Sequence, residues 1–597
     1  MDEETPLVDH DREYHPVSPE KVSLVAHKLR YLVEQTIPCA LKTSHVTRPH
    51  SHILTKEVVK LAEAAGGEHR ACVVFCLLVC SQYFKKLSFS DLSDADMNVL
   101  RAKACEVLTK LLIEKETDED FLFNHVLLQK YSFLKHGERT DEVTAMEMAV
   151  DLHACFCISS SGYQRCISYI WNGFLVQDYV STPEGDTATN YISYDEVANT
   201  NFWRHFNAER VKVPKYQHAL TLIISFIFLG LYTGAVNTAN PEGDVDVAEA
   251  LLYFFTAGFI CDELVKIYKV GFLRYVAFWN FFNMILYSLL TSSFITRCIA
   301  LSKKIGSSDR VEFDVLSYRL LAFAAPLMWT RMLLYLDLAF RFFGTMLVVL
   351  KEMMKESSIF FALLMVMGLG FLQAFLGLAS ADGSVGITGK SLKTMLEALL
   401  QSPAFGTFDD LAPPFGMILY YAFAFVTTVI LLNILVALYS SAYDSITSNA
   451  VEEYLALAAH KILNFIRAPD EHVFIAPLNL IEIFLLILPF EWWLFTSMYQ
   501  RLSRGVMTLV YSPWLLLIAF YESRIVAPRV REHRKHGNSD DALVSDWGGT
   551  DVPMADWEEQ VKRGVPDVEH DDFEHLQKTL ENIQKELADA KSLLTSK

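Results

Sequence analysis

Two kinds of hydrophobic pattern divide this chain. Up to about residue 210, apolar residues recur every three to four positions with charges between them. That spacing predicts amphipathic helices over Ile53–Ala65, Ala71–Phe84, Met97–Ile113 and Phe121–Leu134. The fully apolar run Ala71–Cys80 has only ten residues, where a bilayer crossing takes roughly 20, so it predicts a buried helix. Beyond Pro214 the pattern changes to long uncharged runs. Six of them are long enough to span: His218–Val236, Val247–Tyr268, Tyr275–Leu301, Val315–Phe340, Ile359–Ala381 and Phe415–Tyr443. In lipid the backbone must satisfy its own hydrogen bonds, so all six are expected to be helices. Two later runs, Val473–Phe495 and Val506–Phe520, are broken by prolines and acids and read as interfacial or cytosolic packing helices.

Loop charge gives an orientation. The second-to-third connection, Lys266 to Arg274, is short and basic and suits the cytosol, whereas Asn237–Asp246 has no Lys or Arg. Arg297, Lys303, Lys304 and Arg310 break the rule by facing outward. The fourth segment carries Arg319, Arg331 and Arg341 at spacings of twelve and ten. These cannot form the every-third-residue ladder of a voltage sensor, and Arg319 is expected to pair inside the bundle.

Composition narrows the class. Of 597 residues, 52% are hydrophobic and 21% charged, and mean hydropathy is +0.23. A wholly soluble enzyme is excluded, as are a disordered chain and a disulfide scaffold. A net charge of −19 removes the bulk basic surface that nucleic-acid binding needs. Cys72, Cys76 and Cys80 share a helix face and read as core rather than as a metal site. The N-terminus is acidic with no apolar core, so it is no signal peptide and is expected in the cytosol. Glu3 to Val8 resembles an acidic dileucine sorting signal, or is plain tail. Gly383 to Ser391 imitates a phosphate loop, but its spacing is wrong and no strand precedes it.

The richest chemistry lies between the fifth and sixth spans. Lys390–Gln401 is a helix too short to cross; Ser402 to Asp410 follow, then Pro413-Pro414 and the last span. This is the layout of a re-entrant pore loop. Irregular backbone at membrane depth is tolerated where it lines a cavity, and Gly406 lets carbonyls turn toward an ion. Phe405, Gly406, Thr407 and Phe408 are the expected selectivity filter, and Asp409 and Asp410 its cation-concentrating mouth. In the sixth span, Asn433 stands alone in an apolar helix and is expected to face a pore or a neighbouring helix. Val436, Tyr439, Ser440 and Tyr443 follow as a candidate gate that closes by dewetting. A secondary transporter is the alternative, although such folds tend to pair two broken helices in related halves and only one re-entrant loop is seen here.

Six spans, a filter containing Phe-Gly and a last helix reading LLNILVALYSSAY resemble a transient receptor potential (TRP) channel. The ankyrin-free helical N-terminus, acidic stretch and terminal heptads are similar to the fungal vacuolar branch, the yeast vacuolar conductance type. The resemblance implies an all-α membrane protein with the six-span voltage-gated-like fold. It would have helical cytosolic N- and C-terminal domains and a C-terminal coiled coil. Its implied organisation is a disordered acidic tail (1–20), a cytosolic helical domain (21–210) and the first four spans (211–345). The pore domain (346–448), a post-pore helical region (449–535), an acidic linker (536–570) and the coiled coil (571–597) complete it. It further implies a homotetrameric, calcium-permeable, non-selective cation channel of the vacuolar membrane with both termini cytosolic. Such a channel releases Ca2+ to the cytosol, is activated by cytosolic Ca2+ and membrane stretch, and is modulated by phosphoinositides.

Related channels hold regulatory calcium between the second and third spans. Here Asp262, Glu263, Asn280 and Asn283 offer oxygens, with Lys266 standing where an amide is expected; polar helix packing is the other reading. Residues 540–572 hold eleven acids and two basic residues without EF-hand spacing. They read as a solvated linker, or as a weak calcium sensor at Glu569, Asp571 and Asp572. Phe573, Leu580, Leu587 and Leu594 take heptad position a, with Leu576, Ile583 and Ala590 at d, a pattern favouring four strands. Lys28, Arg30, Lys42 and Arg48 could meet anionic lipid headgroups or form a solvated face.

Overall fold

The computed structural model describes residues 17–48, 51–135, 137–181, 187–238, 245–270, 278–304, 306–336, 338, 340–381, 388–400, 402, 413–448, 450–467, 474–490 and 496–536. It is predominantly helical, and its packing forms two compact units. One draws on the described residues up to Met148, on Phe174–Arg210 and on those from Thr508 onward. The other comprises Ala149–Gly173 and Val211–Met507. Packing therefore splits the 21–210 region, and Ala149–Gly173 joins the membrane unit.

In the first unit, α1 (Pro19–Thr36) buries Val22, Val25, Leu29 and Val33. These sit at helical spacing and face the apolar helix whose short length predicts burial. That helix follows α2 (Lys56–Gly66) after a kink at His69 and runs as α3 (Val73–Ser90), packed also on α4 (Ala95–Lys115). Although Lys56–Ser90 is long and apolar enough to cross a membrane, most of its apolar stretch is covered within the unit. Cys76 and Cys80 bear out the core reading: their thiols donate to Val22 O (3.4 Å) and Ala26 O (3.2 Å). Burial pushes the Cys80 thiol up to about 12, so it stays protonated.

Periodicity did not reveal the strands of this unit. β1 (Leu175–Ser181) and β2 (Thr187–Ser193) pair antiparallel, Leu175 opposite Ser193. The available signal was β-branched and aromatic enrichment at Val176, Tyr179, Val180, Tyr191 and Ile192 around Pro183-Glu-Gly-Asp. The helix expected over Phe121–Leu134 stops near Leu127, before short strand pairings that begin at Lys130.

In the second unit, α5 (Ser161–Asn172) leads toward the membrane helices. Its Trp171 packs on His218 of α6 (Pro214–Asn237), and Asn172 accepts from Lys215 (3.3 Å). Next come α7 (Val247–Val270), α8 (Phe278–Ser302), α9 (Ser308–Phe323) and α10 (Ala325–Leu336). The fourth expected span is thus two helices meeting at Ala324. These elements share a core of Phe228, Tyr232, Leu252, Phe259, Leu286, Tyr287 and Leu321. Ala476, from the post-pore region, is seated in the same core. Beside it, Asn479 donates to Gly258 O (2.8 Å), and a Cβ on Gly258 would lie 2.7 Å from Pro477 Cα, so only glycine admits this approach.

The outward violation of the charge rule has a structural answer. Arg297 is 1% exposed and meets Glu249 (2.9 Å) and Asp314 (2.7 Å) inside the bundle, with Arg310 also buried beside Asp314. Arg297 is therefore a structural ion-pair centre, not a loop charge. Arg319 is exposed, contrary to the expectation that it pairs internally. The residue that does turn inward is Arg331, whose guanidinium sits 4.1 Å from the Phe259 ring centroid, with Phe228, Tyr287 and Tyr335 around it.

The fifth span is longer than expected. α11 (Arg341–Ala381) is one continuous helix of 41 residues that also takes in the connection from α10. α12 (Thr388–Leu399) is the short helix, followed by α13 (Phe415–Ala424), a π-helical stretch over Phe425–Leu431, α14 (Leu432–Ser448) and α15 (Ala450–Arg467). The expected coiled coil and acidic linker lie outside the described residues.

Candidate ion-conduction site

α12 is too short to span and packs between two long apolar helices. Its Met395 and Ala398 pack in one cluster with Phe375 and Ala379 of α11 and with Tyr420 and Phe423 of α13. A twelve-residue helix at this place holds the position expected for the first half of a re-entrant loop. Ser391 and Thr394 are buried in it, and Thr394 returns its hydroxyl to Lys390 O (2.9 Å), satisfying itself within the helix. Phe405, Gly406, Thr407, Phe408, Asp409 and Asp410, the expected filter and mouth, lie outside the described residues.

The expected gate residues all lie on α14. Asn433, Val436, Ser440 and Tyr443 are spaced three, four and three apart, so they share one face. All four are exposed in the single chain, Val436 by 64%. Tyr439 is half-buried. Asn433 donates to Val429 O (2.7 Å) in the π-helical turn above it, leaving its carbonyl oxygen available on the open face. An extra residue per turn at Phe425–Leu431 sets which face α14 presents, a device that tends to occur at functional positions.

Between α7 and α8 lies a cavity of about 370 Å³, walled by Glu263, Ile260 and Leu264 on one side and Met284, Tyr287 and Thr291 on the other. Glu263 is engaged with Lys266 (3.6 Å), which also holds Asp262 (2.8 Å). Among the described residues the Asn283 side-chain oxygen is buried without a hydrogen-bond partner, as suits a cation ligand. Asn280 is half-buried on the same helix. Among the lipid candidates, Lys28, Lys42 and Arg48 are exposed, while Arg30 is taken up by Glu34 (3.5 Å) and lies over the Tyr83 ring. Glu569, Asp571 and Asp572 lie outside the described residues.

Sequence reasoning missed a buried ionic cluster in the first unit. Glu522, 3% exposed, accepts from Arg210 Nε (3.0 Å) and from His205 Nδ1 (2.9 Å). His205 Nε2 meets Asn199 O (2.6 Å), so both ring nitrogens face acceptors, an arrangement that favours the doubly protonated imidazole. The Glu522 hydrogen bond raises its pKa above the ordinary histidine value. Arg210 also lies over the Tyr194 ring at 4.2 Å. Partners more than 300 residues apart left no local signal.

The family model for the C-terminal part of YVC1-like calcium channels matches residues 224–523, and that for the TRPY1 N-terminal linker helical domain matches residues 22–206. This chain belongs to the YVC1-like calcium channels. Calcium channel YVC1 of Saccharomyces cerevisiae is 41% identical over 559 residues, covering 90% of this chain and 81% of the relative. Calcium channel YVC1 of Candida albicans is 40% identical over 547 residues, 89% of this chain and 79% of the relative. A solved structure of full-length TRPY1 in detergent, bound to PI3P and calcium, aligns with a TM-score of 0.70 and 37% identity. The alignment covers 87% of this chain and 90% of that one. As a YVC1-like member the chain is an ion channel for calcium and not an enzyme.

Proposed function

We propose that four copies of this chain surround one axis in the vacuolar membrane, pass Ca2+ to the cytosol with little selectivity among cations, and open in response to cytosolic Ca2+ and membrane stretch. The observation that carries this reading is α12 wedged between α11 and α13, beside an α14 face that the single chain leaves uncovered. In this arrangement Phe405, Gly406, Thr407 and Phe408 line the narrow path, Asp409 and Asp410 gather cations at its mouth, and Val436 to Tyr443 close it. Both termini are cytosolic, in keeping with the basic second-to-third connection. Asp262, Glu263, Asn280 and Asn283 form a regulatory calcium site, and Glu569, Asp571 and Asp572 add a weaker one in the tail. A phosphoinositide headgroup is held by exposed bases, among which Lys28, Lys42 and Arg48 are open and Arg30 is not; the PI3P in the TRPY1 structure supports that ligand class.

The decisive experiment replaces both mouth acids, Asp409→Asn with Asp410→Asn, and records single channels in a planar bilayer. The expected result is discrete unitary steps of reduced amplitude. Unchanged conductance and selectivity would remove these residues from the ion path.

A further inference from the structure

Outside the conduction site, a mixed donor set occurs where the segment before α5 meets the helix after the gate. His153 lies between the helix Ala145–Asp151 and the short helix Cys155–Ile158, in the left-handed backbone region (φ 51°). Its Nε2 is 2.8 Å from Glu453 Oε2, and the Cys155 thiol is 3.6 Å from Glu453 Oε1. Glu453 stands in the first turn of α15, directly after the gate helix. One ligand atom from each of the three falls within 4.8 Å of the other two. All three belong to the second unit.

We infer that His153, Cys155 and Glu453 form a binding site for a zinc-class transition-metal ion. Metal bonds of about 2.0–2.3 Å in a tetrahedron place donor atoms roughly 3.3–3.8 Å apart. The Cys155–Glu453 separation already lies in that range, and the His153–Glu453 contact needs to open by less than an ångström. An imidazole nitrogen, a thiolate and a carboxylate suit Zn2+ and its soft analogue Cd2+. They do not suit Ca2+, which takes oxygen ligands only, so this site is separate in chemistry from Glu263, Asn280 and Asn283. Three protein ligands leave the fourth position to water. On binding, Cys155 gives its thiol proton to solvent and coordinates as the thiolate, while His153 coordinates through Nε2.

The positions give the ion a mechanical role. It ties a segment near residue 154 to a helix near residue 453, immediately below Asn433 to Tyr443. A metal held there resists any gate movement that turns or lifts the start of α15.

The test uses purified full-length channel, with Zn2+ affinity measured by competition against a chromophoric chelator and Cd2+ binding followed by its thiolate charge-transfer absorption. The expected result is one ion per chain, with affinity lowered by more than about tenfold in each of Cys155→Ser, His153→Ala and Glu453→Gln. The charge-transfer band should vanish in Cys155→Ser alone, and Cys39→Ser, at an exposed cysteine elsewhere, should change nothing. In the unaltered channel, saturating Zn2+ should protect Cys155 from maleimide, read by peptide mass spectrometry. Zinc binding of undiminished affinity in all three variants, or maleimide labelling of Cys155 indifferent to zinc, overturns the inference.

Discussion

Arg297→Leu would leave Glu249 and Asp314 facing each other with their principal cation gone. Both acids are at most 3% exposed, and removing one member of a buried ionic set typically costs about 3–5 kcal/mol. We expect the variant channel in detergent to unfold at a clearly lower temperature, measured by a dye-based melt, while the more exposed Arg319→Leu changes it little. The calcium site yields a paired prediction, since Lys266 holds the acids a calcium ion would need. Glu263→Gln should raise the half-activating Ca2+ concentration by about tenfold or more, and Lys266→Gln should lower it. Calcium dose-response curves in excised patches read both; movement of the two variants in the same direction would detach Glu263 from calcium sensing. At this scale the sequence was legible only in part. It offered Glu263, Asn280 and Asn283 as oxygens, but it could not show that Arg297 was internal. Its partners lie 48 and 17 positions away on other helices, and loop-charge counting treats such an arginine as solvent-facing.

At the scale of the elements, chain length and apolarity located the membrane helices closely. The first expected span, His218–Val236, is the body of α6, and the last, Phe415–Tyr443, falls within α13, the π-helical turn and α14. The break at Ala324 and the fusion of the connection into α11 were not legible, because local hydropathy is blind to whether one helix continues through a charged stretch. The hairpin of β1 and β2 is hard to read for another reason: its apolar residues fall in adjacent pairs (Leu175-Val176, Tyr179-Val180, Tyr191-Ile192) that show neither helical spacing nor clean alternation, leaving only β-branched and aromatic enrichment around Pro183 as a signal. The C-terminal helices from Ser512 to His536 give a pH prediction, through the seat of Glu522 between His205 and Arg210. A histidine whose folded pKa is raised adds its full stabilisation below the unfolded value near 6.5. That contribution is lost as pH climbs through the raised value, while Arg210 keeps its charge. Amide exchange in 512–536 should therefore quicken from pH 6 to pH 9 after correction for intrinsic rates. In His205→Gln the same segment should exchange faster at pH 6 and depend less on pH.

For the whole molecule, the proposed conduction rests on assembly of several copies. The exposed side chains Leu363, Met365, Val366 and Leu369 on α11 and Val436 on α14 need lipid or another copy to cover them. Heptads over 571–597 are short, so they should reinforce a tetramer formed by the membrane helices rather than create it. Deleting 571–597 is expected to leave a four-copy complex by mass photometry, but one that falls apart at lower detergent or heat stress. Loss of the tetramer altogether would transfer assembly to the tail.

The length of α11 has a consequence of its own. At 1.5 Å per residue its 41 residues reach about 60 Å, twice the roughly 30 Å of hydrocarbon in a bilayer. Something close to half of this rod must therefore lie beyond the acyl chains, stiffly joined to the half within them. On the proposed stretch-sensitive reading, thinning of the membrane would tilt the whole shaft at once, and its packing on α14 and α15 would convert the tilt into torque at the proposed gate. A proline placed about a third of the way along, at Met354, would act as a universal joint and should blunt the response to tension before it blunts the response to calcium.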